Sequence, residues 1–214
     1  QIKNNYNKIM EKPYVIGMDM GGTNTVFGIV DTRGNVVSKS AIKTSTHMNV
    51  NLYIDDIYVE LSKLIDAAGG IDKIKGNGNY YTGNIEFAPN LNWKGVIPFA
   101  NLMAEKFGIP TALTNDANAA AVGEMTYGAA RGMKNFIMIT LGTGVGSGIV
   151  IDGKVVYGHD GFAGELGHVI VMRNNGRVCG CGRSGCLEAY ASATGVARSA
   201  REILESNKKS SLLR

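Results

Sequence analysis

Hydrophobic and polar positions alternate along the chain in blocks that predict hairpins, and they recur at helical spacing between those blocks. Val15 and Ile16 precede a Gly21-Gly22 turn, and Val26, Phe27, Ile29 and Val30 follow it, so Tyr14 to Asp31 is predicted as strand, glycine turn and strand. Asp31 to Asn35 reads as a second, purely structural turn, and Val36 to Thr44 as a third strand. From Asn51 to Ala68, Ile54, Ile57, Tyr58, Leu61, Leu64 and Ile65 recur three and four apart, the spacing of an amphipathic helix closed by Gly69-Gly70. Ile71 to Phe87 breaks the pattern: a strand would fit after Lys75, but Gly76-Asn77-Gly78-Asn79 reads as a loop. Val96 to Phe107 is predicted as a helix closed by Gly108, and Ile109 to Leu113 as a short strand. Asn135 to Leu141 reads as a buried strand, Gly142 to Gly148 as a glycine turn, and Ile149 to Ile151 as the return strand. Glu188 to Ser206 is helical, with Val196, Ala200, Ile203 and Leu204 on a partial apolar face, and residues 1–13 form a short helical or frayed lead-in.

The densest chemistry lies between these elements. All three cysteines, Cys179, Cys181 and Cys186, fall within one short stretch, and His168 lies upstream across an apolar run that reads as a strand. One imidazole and three thiolates complete a tetrahedral donor set for structural zinc, and glycines 180, 182 and 185 let the chain turn tightly enough to aim them. Three independent buried thiols would not crowd in this way. A disulfide, the alternative, would strand one thiol, and no secretory signal is evident. Glu165 and Glu188 bracket the cluster and are not needed to close it.

Two other stretches carry polar groups at the ends of predicted strands. Asp19-Met20-Gly21-Gly22-Thr23-Asn24-Thr25 combines a carboxylate suited to a hydrated magnesium ion with glycines that allow positive φ and expose N–H groups to phosphate oxygens. Gly142-Thr143-Gly144 opens a second turn of the same kind; because it joins two strands, it differs from a dinucleotide-binding fingerprint, which opens a helix. Asn115, Asp116 and Asn118 come off the predicted strand before Ala119 to Met125, which has helical propensity. Asp116 reads as a catalytic carboxylate, against the plainer role of a helix N-cap.

Composition narrows the class of protein. The 29 glycines cluster in turns, and 44% hydrophobic with 19% charged residues is an ordinary globular balance over 214 positions. A net charge of +4 without a basic run gives little reason to expect a nucleic-acid partner. No apolar run suffices to span a bilayer, and the zinc reading, with no targeting signal evident, favours a reducing cytoplasm.

Met18 to Thr23, Thr114 to Glu124, Thr140 to Gly148 and Gly164 to Ser192, with its CGCGRSGCLEAYAS segment, together resemble the ROK family of bacterial sugar kinases, related repressors and uncharacterised members. Ala88 to Trp93 (APNLNW) points to its glucokinase branch. The resemblance implies an α/β, actin-like (ribonuclease-H-like) ATPase fold in two lobes, residues 14–114 and 115–214, with a zinc-binding loop in the second. It implies ATP-dependent phosphorylation of a hexose 6-hydroxyl, glucose first, with fructose, mannose and N-acetylhexosamines as alternative acceptors and a non-catalytic sugar sensor as a further alternative. Asp116 would be the base, and Asn115, Glu165, His168 and Glu188 would hold the sugar. Asp19, Gly21, Gly22, Thr23, Asn24, Gly142, Thr143 and Gly144 would serve ATP and magnesium, and His168 would also ligate zinc with Cys179, Cys181 and Cys186. A homodimer is expected on the same basis. Family members continue well beyond the position of Arg214 and carry an additional strand and loop near residue 76, so the sequence is expected to be part of a longer protein. The lead-in before Tyr14 is too short for the helix-turn-helix of the repressor branch.

Overall fold

A computed structural model of the chain describes residues 12–75, 83–85, 91–159, 161–206 and 212. The expected lead-in over residues 1–11, the glycine loop after Lys75 and residues 88–90 of the APNLNW segment lie outside the described residues. The chain separates into two compact units, Gln1–Thr114 and Asn115–Arg214.

The first unit is built on an antiparallel meander of β1 (Tyr14–Met20), β2 (Asn24–Asp31) and β3 (Val36–Lys43). The turn between β2 and β3 is closed by Asp31, whose Oδ1 accepts the N–H groups of Arg33 and Asn35 at 2.8 and 2.9 Å. These bonds favour the charged form of the carboxyl and, led by the Asn35 side chain, hold it below the usual carboxylate range. Helix α1 (Val50–Ala67) starts at Asn49, whose side chain accepts the Asn51 N–H, and covers the sheet. Its buried stripe is Tyr53, Ile54, Ile57, Leu61 and Ile65. Tyr58, expected in that stripe, is 40% exposed and lies beneath the Lys106 ammonium instead. Helix α2 (Phe99–Phe107) is shorter than predicted because Pro98 caps it and disfavours helical backbone at the residue before. Phe27, Ile29, Tyr53, Ile57, Leu61, Trp93, Phe99 and Met103 fill the core between these elements. Ile109 to Leu113, predicted as a strand, joins no ladder, and Pro110 within it has no N–H to give one.

The second unit carries a smaller meander, β4 (Phe136–Leu141), β5 (Val145–Ile151) and β6 (Lys154–Val155). Helix α3 (Asp116–Tyr127) packs on one face of it. The approach is very close: a Cβ on Gly146 would lie 3.0 Å from Ala117 Cβ, and one on Gly148 would lie 2.7 Å from Ala121 Cβ. The opposite face is less covered than predicted, since Ile137, Ile139 and Leu141 of β4 are exposed. The single predicted C-terminal helix is two, α4 (Glu188–Ala191) and α5 (Ala193–Ser206). They break at buried Ser192, whose Oγ accepts the Gly195 N–H at 3.1 Å as an N-cap. Val196 and Ile203 of α5 are exposed, so its apolar face is not core among the described residues. No helix of the described residues is long and apolar enough to cross a membrane.

Candidate functional site

The segment from Gly164 to Glu188 connects β6 to α4 and carries the dense chemistry. The apolar run after His168 is not the predicted strand. Leu166–His168 is a single turn of 3-10 helix, and beyond it only Ile170 bridges, antiparallel, to Cys186. That bridge and a second one, Val178 to Ser184, fold the cysteine loop back on itself. Gly185 allows the fold: its φ is +83°, and a Cβ there would lie 1.9 Å from the Met172 carbonyl oxygen.

The fold brings the four predicted metal ligands together. One donor atom from each of His168, Cys179, Cys181 and Cys186 lies within 4.8 Å of the others. Cys179 Sγ is 3.7 Å from His168 Nδ1, and Cys181 Sγ is 3.7 Å from Cys186 Sγ. Zinc–sulfur and zinc–nitrogen bonds at tetrahedral angles would set the sulfur–nitrogen edge at about 3.6 Å and the sulfur–sulfur edge at about 3.8 Å, so the donor set fits zinc. The Cys181–Cys186 separation is too long for a disulfide bond, and all three cysteines are free. The thiols are not equivalent. Burial pushes Cys179 up to about 12, whereas hydrogen bonds from the backbone and guanidinium of Arg183 pull Cys181 down to about 6.

His168 presents its two nitrogens to different neighbours. Nδ1 faces the sulfurs, and Nε2 lies 3.9 Å from Glu165 Oε2. Glu188 is likewise shared. Its Oε1 accepts from the Cys179 thiol at 3.4 Å, and its Oε2 accepts the Val145 N–H at 3.0 Å. The Glu188 carboxylate therefore joins the cysteine group to the second glycine turn. Gly144 leaves room for the carboxylate: a Cβ there would lie 2.6 Å from Glu188 Oε2, so the side chain would have to turn away.

Asp116 stands at the start of α3, exposed, with Oδ1 accepting the Ala117 N–H at 2.8 Å. It is not the N-cap. That role belongs to Asn115, whose Oδ1 accepts the Asn118 N–H at 2.7 Å. Ala117, the next residue, rests against Gly146 of β5, and Gly167, just before His168, rests against the Val145 carbonyl. The first residues of β5 are thus the common support of Asp116, His168 and Glu188.

The two glycine turns differ from expectation in detail. Neither Gly21 nor Gly22 has positive φ, nor do Gly142 and Gly144. The Gly21 N–H is taken by the Asn24 carbonyl and the Gly142 N–H by the Gly144 carbonyl, both at 3.0 Å, so neither is uncovered. Thr25, expected to add a donor to the first turn, is fully buried; its Oγ1 bonds Thr44 Oγ1 at 2.7 Å and Tyr53 Oη at 2.5 Å. Asp19, Thr23 and Asn24 are exposed around that turn, as is Thr143 in the second.

Sequence reasoning missed Arg177. Its guanidinium stacks 4.6 Å from the Tyr190 ring and donates to the carbonyls of Ala189 and Gly195 and to Glu202. Its backbone N–H is accepted by Tyr190 Oη at 2.8 Å. It ties the cysteine loop to α4 and α5. No motif marks it, since its partners lie 12 to 25 positions away.

Comparison with known proteins places this geometry. A family model described as the ROK family matches residues 15–214. A glucokinase of Halalkalibacterium halodurans is 39% identical over 211 residues, covering 95% of this chain and 64% of that protein. A xylose repressor of Bacillus spizizenii is 33% identical over 196 residues, covering 87% of this chain and 50% of the repressor. The crystal structure of a ROK family glucokinase from Streptomyces griseus, in complex with glucose and AMPPNP, superposes with a TM-score of 0.70 at 34% identity, over 91% of this chain and 62% of that one. The chain thus spans less than two thirds of each, and over the matched span it carries the actin-like ATPase fold expected from the sequence.

Proposed function

The chain belongs to the ROK family, and on that footing we propose that the full-length protein transfers the terminal phosphoryl group of ATP to the 6-hydroxyl of a hexose, most simply glucose. The observation that carries the proposal is the gathering of Glu165, His168 and Glu188 beside the cysteine group, on the same first residues of β5 against which the Asp116 helix packs. The similarity to a glucokinase complexed with glucose and AMPPNP supports the choice of substrates.

In this reading the carboxylates of Glu165 and Glu188, the amide of Asn115 and Nε2 of His168 bind sugar hydroxyls, because they accept and donate in fixed directions. Asp116 accepts the proton of the attacking hydroxyl; exposed at a helix start, its carboxylate is open to a ligand. Phosphoryl transfer asks mainly for alignment and charge neutralisation. Asp19 would hold hydrated magnesium, and Gly21, Gly22, Thr23 and Asn24, with Gly142, Thr143 and Gly144, would serve the phosphates. Zinc held by His168, Cys179, Cys181 and Cys186 would brace the loop and fix the His168 ring with Nε2 toward Glu165. The protein acts in the cytoplasm, as a homodimer.

The deciding experiment is ADP release from ATP by the full-length protein across glucose, fructose, mannose and N-acetylhexosamines. Turnover with glucose above the others supports the proposal, and turnover with none refutes it. The xylose-repressor relative supports a second reading, a sugar sensor, which predicts sugar binding without ADP release.

A further inference from the structure

Ser147 sits on β5 and is 3% exposed, on the strand face away from α3. Its hydroxyl donates to the Gly164 carbonyl and accepts the Leu166 N–H at 3.2 Å. These two bonds straddle Glu165. The backbone is equally close: a Cβ on Gly164 (φ +88°) would lie 2.9 Å from the Ser147 carbonyl oxygen, and one on Gly167 would lie 2.1 Å from that of Val145. Residues 164–168 therefore run along one edge of β5, against the carbonyls of alternate residues, and Ser147 supplies the side chain that grips them. The Glu165 side chain itself is 46% exposed, with Nε2 of His168 3.9 Å from its carboxylate. The Ser147 bonds fix the backbone from which the Glu165 side chain starts.

We infer that Ser147 is the positioning residue for Glu165, acting on hexose affinity without touching the hexose. The inference rests on the sugar-binding reading of Glu165 given above. Nothing in the glycine motif around Ser147 marks it for this role; as part of a phosphate turn it would instead affect ATP. Its effect is therefore specific in direction. Losing both bonds lets the turn at Glu165 relax, which weakens sugar binding, while the phosphate turn and the cysteine group keep their own contacts.

The test compares Ser147→Ala in the full-length protein, alone and combined with Glu165→Gln, by steady-state kinetics with ATP and the best hexose of the panel. Ser147→Ala is expected to raise the hexose KM about five- to tenfold, with ATP KM and zinc content unchanged. In the Glu165→Gln background it is expected to add nothing further, because the residue it positions is already disabled. An unchanged hexose KM, or the same added increase in the Glu165→Gln background, overturns the inference. Ser147→Cys keeps the shape with a weaker donor and acceptor, and serves as the second variant if Ser147→Ala fails to fold. If the parent turns over no hexose, the sugar-kinase reading falls and this inference with it. An active parent with an indifferent Ser147→Ala overturns this inference alone.

Discussion

Gly144→Ala separates local stability from function. Gly144 has no positive φ, so alanine meets no backbone strain. The new Cβ would lie 2.6 Å from Glu188 Oε2 and 3.4 Å from its Cδ, with no other atom within 4 Å. The obstacle is the end of a flexible side chain, which can rotate away. Folding is weakened only modestly: the gain from a less flexible unfolded chain, about 0.4–1 kcal/mol, offsets about a third of the lost hydrogen bond. Function changes more. A rotated Glu188 gives up the 3.0 Å bond from the Val145 N–H, and a hydrogen bond to a charged group contributes about 1.5–3 kcal/mol. If that bond holds Glu188 in its sugar-binding pose, kcat/KM for the hexose falls by about ten- to a hundredfold. Gly123→Ala in α3 is the control, since a Cβ there meets nothing within 4 Å and the residue has no part in the proposed site, and its hexose KM stays at the parent value. Thermal melting and coupled ADP-release kinetics on the full-length protein read both quantities. A Gly144→Ala variant with parental hexose kinetics would refute the claim that Glu188 is held through this turn.

Asp116→Asn is expected to cost about two to four orders of magnitude in kcat, measured by ADP release, because the amide cannot accept the proton; parental kcat would remove Asp116 as the base. Metal analysis should find one zinc per chain, and Cys186→Ser, which replaces a fully buried donor, should lower zinc content below half of the parent's; a metal-free parent with full activity would sink the metal assignment. Gly148→Ala is expected to destabilise by about 1–3 kcal/mol in denaturant titration, since its Cβ would press on Ala121 Cβ at 2.7 Å and the Ala117 carbonyl at 2.9 Å, neither able to swing aside; an unchanged midpoint would show that α3 is not seated against β5.

How much of this could be read from the chain depended on how local each interaction is. The cysteine group was legible because its sulfurs are close in sequence and chemically unusual. The first two strands and α1 were legible because burial follows period two and period three-to-four. Tyr58 and Tyr53 show the limit: both fit the apolar spacing, but which one enters the core depends on Thr25 and Thr44 waiting with hydroxyls 28 and 9 positions away. The same holds for Glu188, whose partner Val145 lies 43 positions distant.

The glycine run from Gly142 to Gly148 had a second meaning that its spacing did contain. Glycine stands at every second position, which is the period of one face of a strand, whereas a ligand-cradling turn needs no such regularity. In the fold, Gly146 and Gly148 lie within strand β5 and face α3, where side chains would collide with Ala117 and Ala121. The intervening Val145 and Ser147 keep their side chains for the other face, and the 164–168 segment rests against their carbonyls along the edge of the strand that β6 also uses. One strand thus separates two tasks by parity. Even positions are emptied so that the helix bearing Asp116 can approach, and odd positions hold the segment bearing Glu165 and His168. A substitution that adds bulk at an even position should shift the helix that carries Asp116, whereas one that removes the Ser147 hydrogen bonds at an odd position should loosen the turn at Glu165. The glycines of β5 are then needed for the site even though neither Gly146 nor Gly148 has a side chain to offer a ligand.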